Sequence, residues 1–129
     1  MYVALISLVF LFCHSCQCQS SHVTTSVIIP CFYGHFKHLD ELMNALCNQT
    51  VLPDEVVISL SEIDKLNPAL IKKFENKKYP FPVKLIKHRE LLWAGPNRNS
   101  ACEHAIGDIF ICQDADDLPH PQRIEIIKY

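Results

Sequence analysis

Polar and apolar positions along this chain alternate in blocks of two kinds. Short β-rich apolar runs recur at Ser26–Pro30, Glu55–Ser59, Val83–Lys87 and Asp108–Cys112. The first, Ser26-Val27-Ile28-Ile29-Pro30, is apolar without alternation, as in a strand buried on both faces. Between the runs lie amphipathic stretches. Phe36, Leu39, Leu42, Met43 and Leu46 share the spacing of one helix face, which predicts a first helix ahead of Pro53. Asn67 to Lys77 predicts a second helix, rich in lysine, with Leu70, Ile71 and Phe74 as its apolar side. Gly95-Pro96 opens a third, because proline is tolerated in a first helical turn. On it Ala101 and Ala105 stand four apart, small enough for close approach to a sheet, and Gly107 is expected to cap its end. Pro119 and Pro121 reset the chain into a last helix from about Gln122.

The resulting order β-α-β-α-β-α-β predicts an α/β fold, a parallel sheet with helices on both faces. Ligands of such sheets bind beyond the carboxyl ends of the strands, where the strand order reverses. Pro30-Cys31, Ser59-Leu60 and Gln113-Asp114 each follow a strand and so share that edge.

Composition bounds this picture without altering it. The 129 residues suffice for one domain, and 49% hydrophobic with 20% charged is ordinary for a globular chain. A net charge of -2 gives no reason to expect nucleic acid. Lys72, Lys73, Lys77 and Lys78 read as a solvated helix face. The N-terminus stands apart. The mainly apolar run from Val3 to Cys13 is too short for a membrane span, which needs about 20 residues. It suits a secretory signal peptide over 1–19, with Cys16 and Cys18 ahead of a cut near Gln19, although no Lys or Arg precedes the run. An uncleaved anchor, the one route to membrane attachment, is the alternative. Localisation in the secretory pathway, in the ER or Golgi lumen, or secretion follows. Of seven cysteines, Cys31, Cys47, Cys102 and Cys112 would then remain, an even number that permits disulfides in an oxidising compartment without requiring them, with free, small hydrophobes the preferred reading. Asn48-Gln49-Thr50 is an N-glycosylation sequon compatible with a lumen.

The candidate chemistry lies in Asp114-Ala115-Asp116-Asp117, directly after the fourth strand. Three carboxylates within four residues repel one another unless a positive group offsets them. On an extended segment Asp114 and Asp116 would point the same way. Hard oxygen ligands of this kind suit Mg2+ or Mn2+, which fill their remaining positions with substrate phosphate. The plainer reading, that Asp116 or Asp117 caps the helix after Pro119, accounts for one aspartate only.

Taken with Ala94-Gly95-Pro96-Asn97-Arg98-Asn99-Ser100-Ala101 and the strand Ile109-Phe110-Ile111-Cys112 before it, the acidic run resembles that of the family 2 glycosyltransferases of the GT-A fold. Ser26-Val27-Ile28-Ile29-Pro30-Cys31 resembles the first strand of that family, and Asn48-Gln49-Thr50 the end of its first helix. The resemblance covers nearly all of Ser26 to Tyr129. It implies a Rossmann-like nucleotide-diphospho-sugar transferase fold over 23–129. It also implies a nucleotide-diphosphate-sugar donor, and transfer of the sugar, usually with inversion, to a carbohydrate, lipid or protein acceptor. By matching positions, Pro30 and Cys31 would border the nucleotide, and Arg98 would bind the base or the diphosphate. Asp114 would face the ribose and metal. Asp116, with Asp114 and Asp117, would hold Mn2+ or Mg2+.

Two positions depart from the family pattern. The base-reading aspartate after the second strand is replaced by Ser59-Leu60-Ser61-Glu62, so Glu62 or Ser61 must substitute. Phe32-Tyr33-Gly34 follows Cys31 where the family usually has Tyr-Asn. The catalytic base is expected beyond Tyr129, so the region reads as truncated at its C-terminus. A secreted, non-catalytic donor-binding remnant is therefore the alternative to an enzyme. A zinc site on Cys31, His35 and His38 lacks an evident fourth ligand. His35, His38, His104 and His120 read as structural, with His120 near enough to the acidic run to contact a phosphate. Trp93, the only tryptophan, is expected either to pack under the donor site or to anchor the core, and the core reading is preferred.

Overall fold

A computed structural model describes residues 22–129. In chain order the elements are β1 (Thr25–Phe32), a 3-10 helix (Tyr33–His38), α1 (Leu39–Cys47), β2 (Glu55–Ser61) and a short 3-10 turn (Ile63–Lys65). Then follow α2 (Pro68–Glu75), β3 (Val83–Lys87), α3 (Ala94–Glu103), β4 (Ile109–Cys112) and α4 (Arg123–Lys128). The strands form one parallel sheet in the order β3-β2-β1-β4. The chain winds outward from β1 to β3, then crosses back to place β4 on the other side of β1. The strand order therefore reverses between β1 and β4, and a crevice opens there beyond their carboxyl ends.

β1 and β2 run further than the apolar runs suggested, because their pairing continues through Cys31↔Leu60 and Phe32↔Ser61. As central strands they are buried on both faces. Val27, Ile29, Cys31, Val56, Ile58 and Leu60 face α1, α2 and α4. Ile28 and Val57 meet Ala101 of α3 on the other side. α1 has no side-chain N-cap, a loss of about 1 kcal/mol. Its fully buried Leu39, Leu42, Met43 and Leu46 outweigh that loss, at about 1.5–3 kcal/mol each. Phe36 belongs to the preceding 3-10 helix, not to α1.

α2 begins at Pro68, with the Ala69 amide donating to Asn67 Oδ1 at 2.9 Å. Ile71 and Phe74 are buried as expected, but Leu70 is half exposed, because the helix meets the core along Ile71 and Phe74 alone. Gly107 does not cap α3, whose C-cap is His104. It is small for another reason. A Cβ there would lie 2.5 Å from Ser26 Oγ and 2.8 Å from Ser26 N.

At the amino edge of the sheet, Glu55 ties the strands together. Its carboxylate accepts from Ser26 Oγ (2.6 Å) and the Ile106 amide (2.6 Å), and pairs with Lys84 (2.9 Å). α4 is anchored through Gln49, whose Nε2 donates to the His120 carbonyl (2.9 Å) and whose Oε1 accepts from the Ile124 amide (3.2 Å). Cys31, Cys47, Cys102 and Cys112 are free. The signal-peptide expectation over 1–19 lies outside the described residues. Among those residues no helix is long and apolar enough to cross a membrane.

Candidate functional site

The crevice at the carboxyl ends of β1 and β4 opens into a cavity of about 580 Å³. Its floor is the acidic run. Gln113 extends the β4–β1 pairing by donating its amide to the Ile28 carbonyl at 2.9 Å. The chain then turns, with the Asp117 amide donating to the Asp114 carbonyl (3.3 Å). Gln113 Nε2 braces the turn by donating to the carbonyls of Asp114 (3.2 Å) and Asp117 (2.9 Å). Ala115 is buried at its centre.

This turn replaces the extended segment on which Asp114 and Asp116 were expected to point the same way. It spreads the carboxylates so that two of them meet a basic group. Arg98 donates to Asp114 Oδ1 at 3.2 Å, and Asp116 Oδ2 lies 3.7 Å from His35 Nε2. Asp114 and Asp116 both line the cavity. Asp117 lines a smaller neighbouring groove with Cys112 and Arg123. Among the described residues no group of three or more His, Cys, Asp or Glu side chains is assembled to hold a metal ion. The donor set at the cavity is therefore two carboxylates beside an imidazole. That suits a divalent cation of the kind that takes one or two carboxylates and completes its shell from substrate oxygens. Neither Asp116 nor Asp117 caps α4, whose N-cap is Gln122.

α3 supplies the opposite wall. Asn97 is buried and donates Nδ2 to the Cys31 carbonyl at 3.0 Å, which leaves its Oδ1 buried without a partner. Arg98 Nε is likewise buried and unpaired. Buried polar atoms without partners are uncommon. Pro30 lines the cavity; Cys31 does not. The Cys31 side chain turns into the core, where burial, and then the Asp116 charge, push its thiol up to about 12. Its contribution to the site is the carbonyl that Asn97 holds.

Of the two substitutes after β2, Glu62 reaches the cavity and Ser61 does not. Glu62 is the one non-glycine residue with positive φ among those described (φ 58°). That conformation costs about 1–3 kcal/mol and tends to occur at functional sites. Its carboxylate pairs with Lys65, whose Nζ also lies over the Tyr33 ring at 4.7 Å.

Trp93 corrects the core expectation. It is 74% exposed and forms the outer wall of the cavity, because it is the extended N-cap residue of α3 and stands outside the helix. His120 is engaged in its own turn, its Nδ1 accepting from the Gln122 amide at 3.2 Å. The Cys31, His35 and His38 trio is not assembled, since the Cys31 thiol lies in the core.

Asn97 lines the cavity without a role of its own in the sequence reading, whereas His35 was weighed there as a zinc ligand and Trp93 as a core anchor. One signal existed for the first. Asn97, Asn99 and Ser100 are weak helix formers early in α3, a cost that needs a reason outside the helix.

Residues 26–127 match the model of the family described as glycosyl transferase family 2. No curated protein matches the chain. Among solved structures, the crystal structure of S. aureus TarS 1-349 in complex with UDP superposes with a TM-score of 0.60 at 22% sequence identity. The match covers 81% of this chain and 31% of that one, so the chain spans less than a third of the length of that relative. The likeness is one of fold, a Rossmann-like GT-A sheet. With the family match over residues 26–127, it leads to one conclusion: the chain belongs to glycosyl transferase family 2.

Proposed function

We propose that the cavity binds a nucleotide-diphosphate-sugar donor, and that the protein transfers its sugar to a carbohydrate, lipid or protein acceptor. One observation carries this reading: Arg98 and the Asp114 and Asp116 carboxylates converge on one cavity at the switch point of the sheet. Family membership supports it, as does the description of TarS in complex with UDP.

In this reading each group has a task. The guanidinium of Arg98 is permanently charged and is held in place by Asp114, so it meets the diphosphate ready oriented. Asn97 holds the Cys31 carbonyl and so fixes the start of α3 against the end of β1. Trp93 offers its exposed face to the base, since stacking requires only a π-surface. Glu62 offers a carboxylate to base N–H groups, in place of the aspartate usual in the family. Asp116, with Asp114, holds Mn2+ or Mg2+. When bound, the cation neutralises charge developing on the leaving diphosphate. The secretory pathway or secretion remains the proposed location.

Binding measurements test the donor claim. In the presence of Mn2+, UDP should bind the full chain at least tenfold more tightly than UMP. Arg98→Ala should bring UDP close to the UMP level, because charge-assisted hydrogen bonds contribute about 1.5–3 kcal/mol. Equal affinity for the two nucleotides would exclude a diphosphate clamp.

A further inference from the structure

The turn after β1 departs from the family pattern, and the departure puts an imidazole against the acidic turn. Phe32-Tyr33-Gly34-His35 occupies the place where Tyr-Asn is usual. His35 Nε2 lies 3.7 Å from Asp116 Oδ2, and both side chains are partly open to the same cavity. That separation is beyond a hydrogen bond. Adjacent ligands of one octahedral cation with bonds near 2.1 Å sit about 3 Å apart. The pair is thus spaced slightly wider than two donors already gripping an ion.

The imidazole is held from behind. The Phe32 ring packs on it with centroids 4.3 Å apart. Gly34 permits this, since a Cβ there would lie 2.5 Å from Phe32 Cε2. Position 34 therefore admits no side chain while the Phe32 ring stays where it braces His35.

We infer that His35 is a metal ligand, completing with Asp116 a mixed nitrogen–oxygen grip that selects Mn2+ over Mg2+ at the donor site. This rests on the proposed donor-binding reading. The selectivity follows from ligand chemistry. Mg2+ is a hard cation served by oxygen ligands, whereas imidazole nitrogen is a ligand of first-row transition metals. A carboxylate pair alone would not distinguish the two ions strongly. With one imidazole in the set, the transition ion gains and Mg2+ does not.

The test uses the full chain with Mn2+ and UDP, read by electron spin-echo envelope modulation, which detects an imidazole nitrogen bonded to Mn2+. The unaltered chain should show the nitrogen modulation. His35→Gln should lose it while keeping Mn2+ through Asp116, and its Mn2+ affinity should fall at least about tenfold, since altering even an outer-shell partner of a metal ligand costs about 10–100-fold. His35→Asp should restore affinity with oxygen ligands only, erasing the preference of Mn2+ over Mg2+. Modulation that is absent from the parent, or that persists in His35→Gln, would overturn the inference. Asp116→Asn separates the two levels. If it leaves Mn2+ uptake intact, the donor-site reading itself fails. If it abolishes uptake while His35→Gln changes nothing, only the His35 ligand is wrong.

Discussion

Trp93 shows how much a single side chain decides at this site. It is the sole tryptophan and lies 74% exposed in the cavity wall, so it contributes little to the core and is free to stack on a base. Titration with UDP is expected to quench its fluorescence. Trp93→Ala should weaken nucleotide binding by about tenfold, since stacking is worth about 1–3 kcal/mol per base, and should leave the urea midpoint unchanged. A loss of stability without loss of binding would return Trp93 to a structural role. Gly107 shows the converse, a residue whose importance is purely steric. A methyl group there meets Ser26 Oγ and the β1 backbone. Gly107→Ala should therefore destabilise the fold by about 1–3 kcal/mol in urea unfolding. Arg98 and Asp114 were legible in the sequence through the Asn97-Arg98-Asn99 segment and the acidic run that carry the family resemblance, and both line the cavity. Trp93 was not, because an aromatic beside a helix start carries no mark of which side it faces. The inward turn of the Cys31 side chain was hidden for a related reason: the strand continues past Pro30, and strand alternation then puts Cys31 on the core face with Val27 and Ile29.

Among the elements, the strands are stitched at the amino edge, the end remote from the cavity. Burial pushes the Glu55 carboxyl up, but hydrogen bonds from the Ile106 amide, Ser26 and Lys84 more than offset it, leaving the group below its usual 4.5. A carboxyl depressed in the folded state is protonated more readily in the unfolded one. Its contribution is therefore complete above about pH 4.5 and is lost as pH falls through the lower folded value. Glu55→Gln should be less stable than the parent by about 2 kcal/mol at pH 7, and the gap should narrow in urea unfolding at pH 3.5. A gap independent of pH would mean that the ionised form of Glu55 adds nothing. The element order, the parallel sheet and the helix faces were legible because apolar spacing reports them directly. The acidic turn was not. Asp114 to Asp117 read as extended, but the segment turns on local bonds, from the Asp117 amide to the Asp114 carbonyl and from Gln113 Nε2 to the carbonyls of Asp114 and Asp117, with Arg98 adding one bond from α3.

At the scale of the whole molecule, the switch point between β1 and β4 organises the account. Pro30 at the end of β1, Glu62 after β2, α3, and the acidic turn after β4 reach one cavity because the strand order reverses there. Among the described residues six of the eleven exposed large hydrophobics, Ile106, Phe110, Leu118, Ile126, Ile127 and Tyr129, belong to the last quarter of the chain. The chain matches 31% of the TarS structure, a likeness of fold. The central claim is that the acidic turn holds a divalent cation against the donor diphosphate. Isothermal titration of the full chain with UDP, with and without Mn2+, tests it most directly when repeated on Asp116→Asn. The account predicts that Mn2+ tightens UDP binding by the parent and not by the variant, whose circular dichroism stays unchanged; equal tightening by Mn2+ in both proteins would contradict it.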